Sequence, residues 1–251
     1  MLGATKPLIR QRGEYTVHVH GENGIGGVEL PSSSQLPSSE AAAEYIVRMA
    51  NESPGELTVV TMGRLTNMAH ALELDPSLTT KLRQVVVMGG AVHVPGNVTP
   101  VAEANLWGDP EAADLVFTSG LPVTMVGLDV TLKTRITQQQ LDILTRVVRP
   151  ENKPIAEFMQ SAMRHYFNFY RKSNYFLDAA PLHDPLALMV AVHPELVTYQ
   201  KMRVRVECES SLCAGMVVAD LRPIPKVGSE IDVCVDVYAD RAVGQFLSVF
   251  E

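Results

Sequence analysis

The sequence predicts an α/β protein: a mostly parallel sheet flanked by helices. Short β-branched runs alternate with helical patterns along the chain, the order expected of parallel strands covered by helices. Each strand candidate in the first half ends close to a cluster of polar and glycine residues, where open α/β sheets collect their ligands beyond the carboxyl ends of the strands. At 251 residues and 46% hydrophobic, the chain can bury one sizeable core. Without an internal repeat or a dividing linker, residues 1–251 are read as a single domain.

The strand candidates are Leu57 to Thr61, Gln84 to Met88 and Val123 to Asp129, all rich in β-branched residues. Between them, Ser39 to Ala50 has a helical pattern with Ser38 or Ser39 as cap, and Asn67 to Leu74 follows the Gly63 turn. Asp109-Pro110-Glu111 has the order of a helix start, with aspartate as N-cap and proline at the first helical position. Further helices are expected over Gln138 to Val147, Pro154 to Arg171 and Asp184 to Val192. The last stretch alternates as strands over Met202 to Glu207, Met216 to Asp220 and Ile231 to Val237. The serine-rich residues 32–39 read as a flexible loop.

A net charge of −7 and a sequence pI near 5.5 argue against nucleic acid and anionic membranes as partners, because both call for clustered Lys and Arg. The three cysteines, Cys208, Cys213 and Cys234, form no CxxC and cannot all pair, which fits a reducing compartment. No signal peptide or membrane-length apolar run is evident, so a soluble, cytoplasmic protein is expected.

The chemistry concentrates in Val101-Ala102-Glu103-Ala104-Asn105, directly ahead of the Asp109 helix start. On an extended segment residues two apart point the same way, so Glu103 and Asn105 would converge on one polar ligand. Such a pair suits vicinal hydroxyls. Gly96-Asn97 adds a second carboxamide, although Gly-Asn is also an ordinary turn. Leu182-His183-Asp184-Pro185 adds an imidazole beside a second carboxylate. His183 can act as an acid near neutral pH. Asp184, at a helix start with proline in the first turn, can equally be an N-cap.

These residues carry a resemblance. The run VVVMGGAVHVPGNVTPVAEANLWGDPEAA, from Val85 to Ala113, is similar to the signature region of the inosine-uridine-preferring nucleoside hydrolases. So are His20-Gly21-Glu22-Asn23-Gly24, Gly63-Arg64-Leu65-Thr66-Asn67, Val126-Gly127-Leu128-Asp129-Val130-Thr131 and His183-Asp184-Pro185, in the family's order and over almost the whole chain. The resemblance implies a nucleoside hydrolase-like open α/β fold, and cleavage of inosine- or uridine-type ribonucleosides to ribose and free base in nucleoside salvage. It implies a homodimer or homotetramer and a calcium ion. His183 would be the acid, and Asp184 would bind both calcium and a ribose hydroxyl. Asn97, Glu103 and Asn105 would hold the ribose, with Met88 against it. His20, Tyr166 and Tyr170 would lie near the base, and the backbone carbonyl of Met62 would be a second calcium ligand. A solvent-exposed loop for His20 and core packing for one of the tyrosines are the plain alternatives, as a turn carboxylate is for Asp129. Ala104 and Arg64 depart from the family, which commonly has a bulky residue and a proline there.

Family members also open with an aspartate cluster, D-x-D-P-G-x-D-D, that holds calcium and supplies the water-activating base. This sequence contains none. The resemblance therefore implies a domain lacking an N-terminal βαβ unit of roughly 60 residues, and with it an open sheet edge and reduced stability. Calcium takes about six to eight oxygens, so Asp184 and Met62 alone would hold it weakly. Two readings follow: a nucleoside hydrolase, or a non-catalytic shortened form that keeps ribose-binding or oligomer surfaces.

Overall fold

The computed structural model describes residues 1–11, 17–173 and 178–251. Its strands are β1 (Thr58–Thr61), β2 (Gln84–Met88), β3 (Val123–Val126), β4 (Arg135–Thr137), β5 (Ala179–Pro181), β6 (Val197–Val206), β7 (Val217–Ala219) and β8 (Ser229–Val237). The described residues fall into two compact units.

The first unit comprises Leu36–Thr131 and His183–Val237 with the first residues of the chain. It holds a six-stranded sheet in the order β1-β2-β3-β8-β6-β7. The β1–β2, β2–β3 and β3–β8 pairs are parallel, whereas β6 runs antiparallel to both β8 and β7. The β-branched runs form this sheet because its middle is covered on both faces: β3 is buried at every residue and β2 at all but its first. β1 lies at one edge, and each of its four residues is half-buried. Leu65, Met68, Leu106, Val116, Phe117, Met125 and Val233 fill the core between sheet and helices.

The second unit comprises Leu132–Leu182 and Tyr238–Glu251 with the segment ending at Gln35. Helices Gln138–Val147 and Lys153–Lys172 pack against each other, and β4 pairs antiparallel with β5. Thr137 caps the first of these helices through a reciprocal box with Gln140. Ile136, Leu141, Leu144, Phe167, Ala180 and Val243 form a separate core.

Three expectations are corrected here. β3 stops at Val126, and Leu128–Thr131 is a short helix, because Gly127 abuts the carbonyl of Gly90 and Leu128 N–H donates to that oxygen at 2.9 Å. The Ser38 or Ser39 cap does not form. The helix spans Ala42–Glu52, and its first free amide, Ala41 N–H, is met instead by the Glu44 carboxylate at 3.1 Å. Asp184 is no N-cap either, since the helix His183–Val192 already includes it. The pair β4–β5 and the helix Ala239–Ser248 went unpredicted.

The Asp109 cap forms as the sequence suggests and does more than a cap needs. Its fully buried carboxylate accepts from Ala112 N–H at 3.2 Å, from the Thr66 hydroxyl at 2.5 Å and from Leu8 N–H at 3.0 Å. It thus ties three distant segments together. Asp109→Ala is expected to cost about 2–4 kcal/mol, by losing the cap and stranding the buried Thr66 hydroxyl. A urea unfolding midpoint within error of the unsubstituted chain would contradict this.

Candidate functional site

β2 ends at Met88 and turns through Gly89 and Gly90. Gly90 has φ +82°, and a Cβ there would sit 2.8 Å from the Met125 sulfur and 2.9 Å from Val217 Cγ2, so only glycine fits. The Gly90 N–H donates to Glu103 Oε2 at 3.1 Å. The same carboxylate is the N-cap of the helix Ala104–Gly108, accepting from Asn105 N–H at 3.0 Å and Leu106 N–H at 3.3 Å. Glu103 is only 2% exposed. Burial pushes its carboxyl up to about 7, the three backbone amides pull it down, and the neighbouring charge of Asp184 adds to the rise.

This geometry corrects the alternation argument. Glu103 is extended, but Asn105 lies in the helix, so the two do not project as strand neighbours. They are brought together by capping: the carboxylate holds Asn105 by its backbone, and the Asn105 amide donates to the Met88 carbonyl at 3.1 Å, beside the Met88 sulfur at 3.2 Å. Asn97 joins them through its side-chain oxygen, which accepts from Ala104 N–H at 3.0 Å. Its loop is pinned at Gly96, where a Cβ would lie 2.3 Å from the backbone of Ala102. Arg64, the residue in place of the usual proline, lies over Gly108 at the far end of the same helix.

His183 and Asp184 open the helix His183–Val192, which packs against β1 and β2. The His183 Nδ1 is 2.7 Å from the Thr131 hydroxyl. Asp184 keeps an open face to solvent, yet the surrounding protein raises its carboxyl to about 6. Asp129 is buried and accepts from Val92 N–H at 3.0 Å and His93 N–H at 2.7 Å, so it is the turn carboxylate of the plainer reading.

In the second unit, the His20 ring stacks on Tyr166 with centroids 5.8 Å apart and planes at 19°. Tyr166 meets Tyr170 edge to face at 4.9 Å, and their hydroxyls are 3.2 Å apart. The three residues suggested by resemblance therefore form one cluster. His20 is exposed overall, but burial of its ring, then His165, then His18 lower its pKa. The sequence reading missed three members, His18, His165 and Phe169. The signal was present: His165 and Phe169 are one helical turn apart and adjacent to the tyrosines.

Calcium does not fit the described residues by themselves. No group of three or more His, Cys, Asp or Glu able to hold a metal occurs among them, the buried Glu103 is committed to backbone amides, and Asp184 and the Met62 carbonyl fall well short of the cation's requirement.

The buried Glu103 links pH to stability. Its folded pKa, about 7, lies above its ordinary 4.5, so its stabilising contribution is complete below pH 4.5 and is lost as pH rises towards 7. Asp184, raised in the same direction, adds to that slope at lower pH. Glu103→Gln is expected to flatten the fall in unfolding free energy over this window, leaving the Asp184 share. Urea titrations at several pH values would show an unchanged slope if the assignment is wrong.

A sequence model described as inosine-uridine preferring nucleoside hydrolase matches residues 1–243. The chain is 38% identical over 218 residues to uridine nucleosidase 1 of Arabidopsis thaliana, covering 87% of this chain and 63% of that protein. It is 38% identical over 218 residues to a pyrimidine-specific ribonucleoside hydrolase of Salmonella paratyphi B, covering 87% and 68%. Among solved structures, a purine-preferring ribonucleoside hydrolase from Gardnerella vaginalis superposes with TM-score 0.90 at 34% identity, over 98% of this chain and 77% of that one. A plant nucleoside hydrolase superposes with TM-score 0.89 at 33% identity, over 96% and 77%. The chain spans 63 to 65% of the length of the plant uridine nucleosidases it matches. With the parallel sheet and the polar cluster beyond β2 in place, these matches establish that the chain belongs to the inosine-uridine preferring nucleoside hydrolase family.

Proposed function

We propose that this chain carries the ribose-holding and proton-donating residues of a nucleoside hydrolase that cleaves ribonucleosides to ribose and free base. The observation that carries the reading is the cluster beyond β2, where the Glu103 clasp fixes Asn105 against Met88 and Glu103 lies within the field of Asp184. The exposed carboxyl of Asp184 and the carboxamides of Asn97 and Asn105 suit vicinal hydroxyls. Negative charge at Asp184 and Glu103 suits the positive charge that develops on a sugar as its glycosidic bond breaks. When the C1′–N bond breaks, its electron pair leaves with the base. His183 gives that base a proton, and the hydroxyl of water ends on C1′ while the remaining proton goes to solvent. In the second unit, His20, Tyr166 and Tyr170 offer flat faces for a purine or pyrimidine. No step is assigned to calcium, and no described residue is assigned the activation of water.

The alternative reading, ribose binding without turnover, is favoured by the commitment of Glu103 to backbone amides, which leaves Asp184 as the one open carboxylate of the cluster. A dimeric or tetrameric assembly is carried by the resemblance alone, and residence in the cytoplasm by the cysteine pattern and the sequence features read above. Among the described residues, no helix is long and apolar enough to cross a membrane.

Ribose release from inosine and uridine, with and without calcium, separates the two readings when paired with binding. The sole tryptophan, Trp107, lies in the helix that Glu103 caps and is 39% exposed, so its emission reports ligand at the cluster. Turnover that His183→Ala lowers by about 100-fold or more supports the hydrolase. A saturable Trp107 response to ribose without turnover supports the binding form, and neither signal from a folded chain refutes both. Calcium alone is expected to bind no tighter than about 1 mM by calorimetry.

A further inference from the structure

Thr131 ends the short helix Leu128–Thr131 and is fully buried. Its hydroxyl oxygen lies 2.7 Å from His183 Nδ1, a hydrogen bond between residues 52 apart in sequence. The helix that carries this hydroxyl is held from several directions. Thr131 N–H donates to the Gly127 carbonyl at 3.1 Å, and Leu128 N–H donates to the Gly90 carbonyl at 2.9 Å. Asp129, two residues earlier, receives the amides of Val92 and His93, so the helix is tied to the turn that follows β2. The same helix packs against β8 and against the helix that His183 opens. A threonine in such a frame has little freedom to move away from the ring.

We propose that Thr131 is a positioning residue, whose hydroxyl oxygen accepts the Nδ1 proton of His183 and so fixes Nε2 as the nitrogen that exchanges protons with a leaving base. This rests on the hydrolase reading for its catalytic consequence, but not for the hydrogen bond itself. An imidazole acting as acid carries protons on both nitrogens, and an Nδ1–H facing the protein without an acceptor would be costly. A hydroxyl oxygen meets that need and leaves the Nε2 proton as the one to give. After transfer, the neutral ring keeps Nδ1–H bonded to Thr131 and presents a lone pair at Nε2, so the ring need not rotate between turnovers. A threonine that only filled space would do neither.

The test uses the full chain with ¹⁵N-labelled histidine, the His183 signals being identified by their loss in His183→Asn. In the neutral ring a single tautomer protonated at Nδ1 is expected. Thr131→Val, nearly the same in shape but unable to accept, is expected to give a mixture or the opposite tautomer, and Thr131→Ser to restore the original. In an active chain, Thr131→Val should lower kcat by about 10- to 100-fold at nearly unchanged KM, with Thr131→Ser recovering most of it. If Thr131→Val unfolds the chain, as its amide spectrum would show, Thr131→Ser and Thr131→Cys supply the comparison, because sulfur is the weaker acceptor. A Thr131→Val ring with the original tautomer would overturn the proposal, as would a Cys variant indistinguishable from Ser when Val cannot be used. A tautomer change in a chain without turnover would support the positioning role and sink the hydrolase reading instead.

Discussion

A buried carboxylate at the end of a parallel strand is the constraint on which this site depends. Glu103 is almost wholly removed from water, and its position is sustained by three backbone amides from two segments, Gly90 on one side and Asn105 with Leu106 on the other. Burial alone would make the group untenable as an anion, and amides alone would not fix where it sits. Together they determine the turn after β2, the start of the next helix and, through the Asn105 amide, the carbonyl and sulfur of Met88.

The same device recurs. Asp109 ties Leu8, Thr66 and the helix Pro110–Thr118 together, and Asp129 ties the turn after β2 to the segment after β3. Each is a buried carboxylate that receives backbone amides from segments far apart in sequence. Where a parallel sheet ends, its loops leave amide donors unmatched, and an ionisable oxygen pair can take several at once. These carboxylates hold backbone segments in place. Asp184, at a neighbouring helix start, stays open to solvent. A division among acidic residues follows: buried ones hold the backbone still, and Asp184 keeps a face to water.

Much of this was legible beforehand. β2 spans the residues expected of it, and the Asp109 cap and the helix Gln138–Val147 fall where their local signals put them. Such signals act within a few residues and leave marks in a sequence. The errors share one cause. Val123 to Asp129 reads as a single strand, but the carbonyl of Gly90 captures Leu128 N–H and turns the chain. Ser38 and Ser39 are good caps, yet the helix starts later, at Ala42, where Glu44 reaches back to Ala41 N–H. Glu103 and Asn105 read as neighbours on a strand because a helix start six residues earlier than the obvious one, at Asp109, cannot be told from a coil by composition.

The sequence by itself determined the family, the alternation of strands and helices, and which residue types crowd the strand ends, because periodicity and local motif chemistry are properties of adjacent residues. Only the tertiary structure decided which carboxylates are buried and which stays open. It also decided that His20 lies flat on Tyr166 and that Thr131 holds His183. Burial, and hydrogen bonds or ring stacking between residues 13, 52 or 146 positions apart, depend on the packing of whole elements, and no short stretch of sequence carries that information.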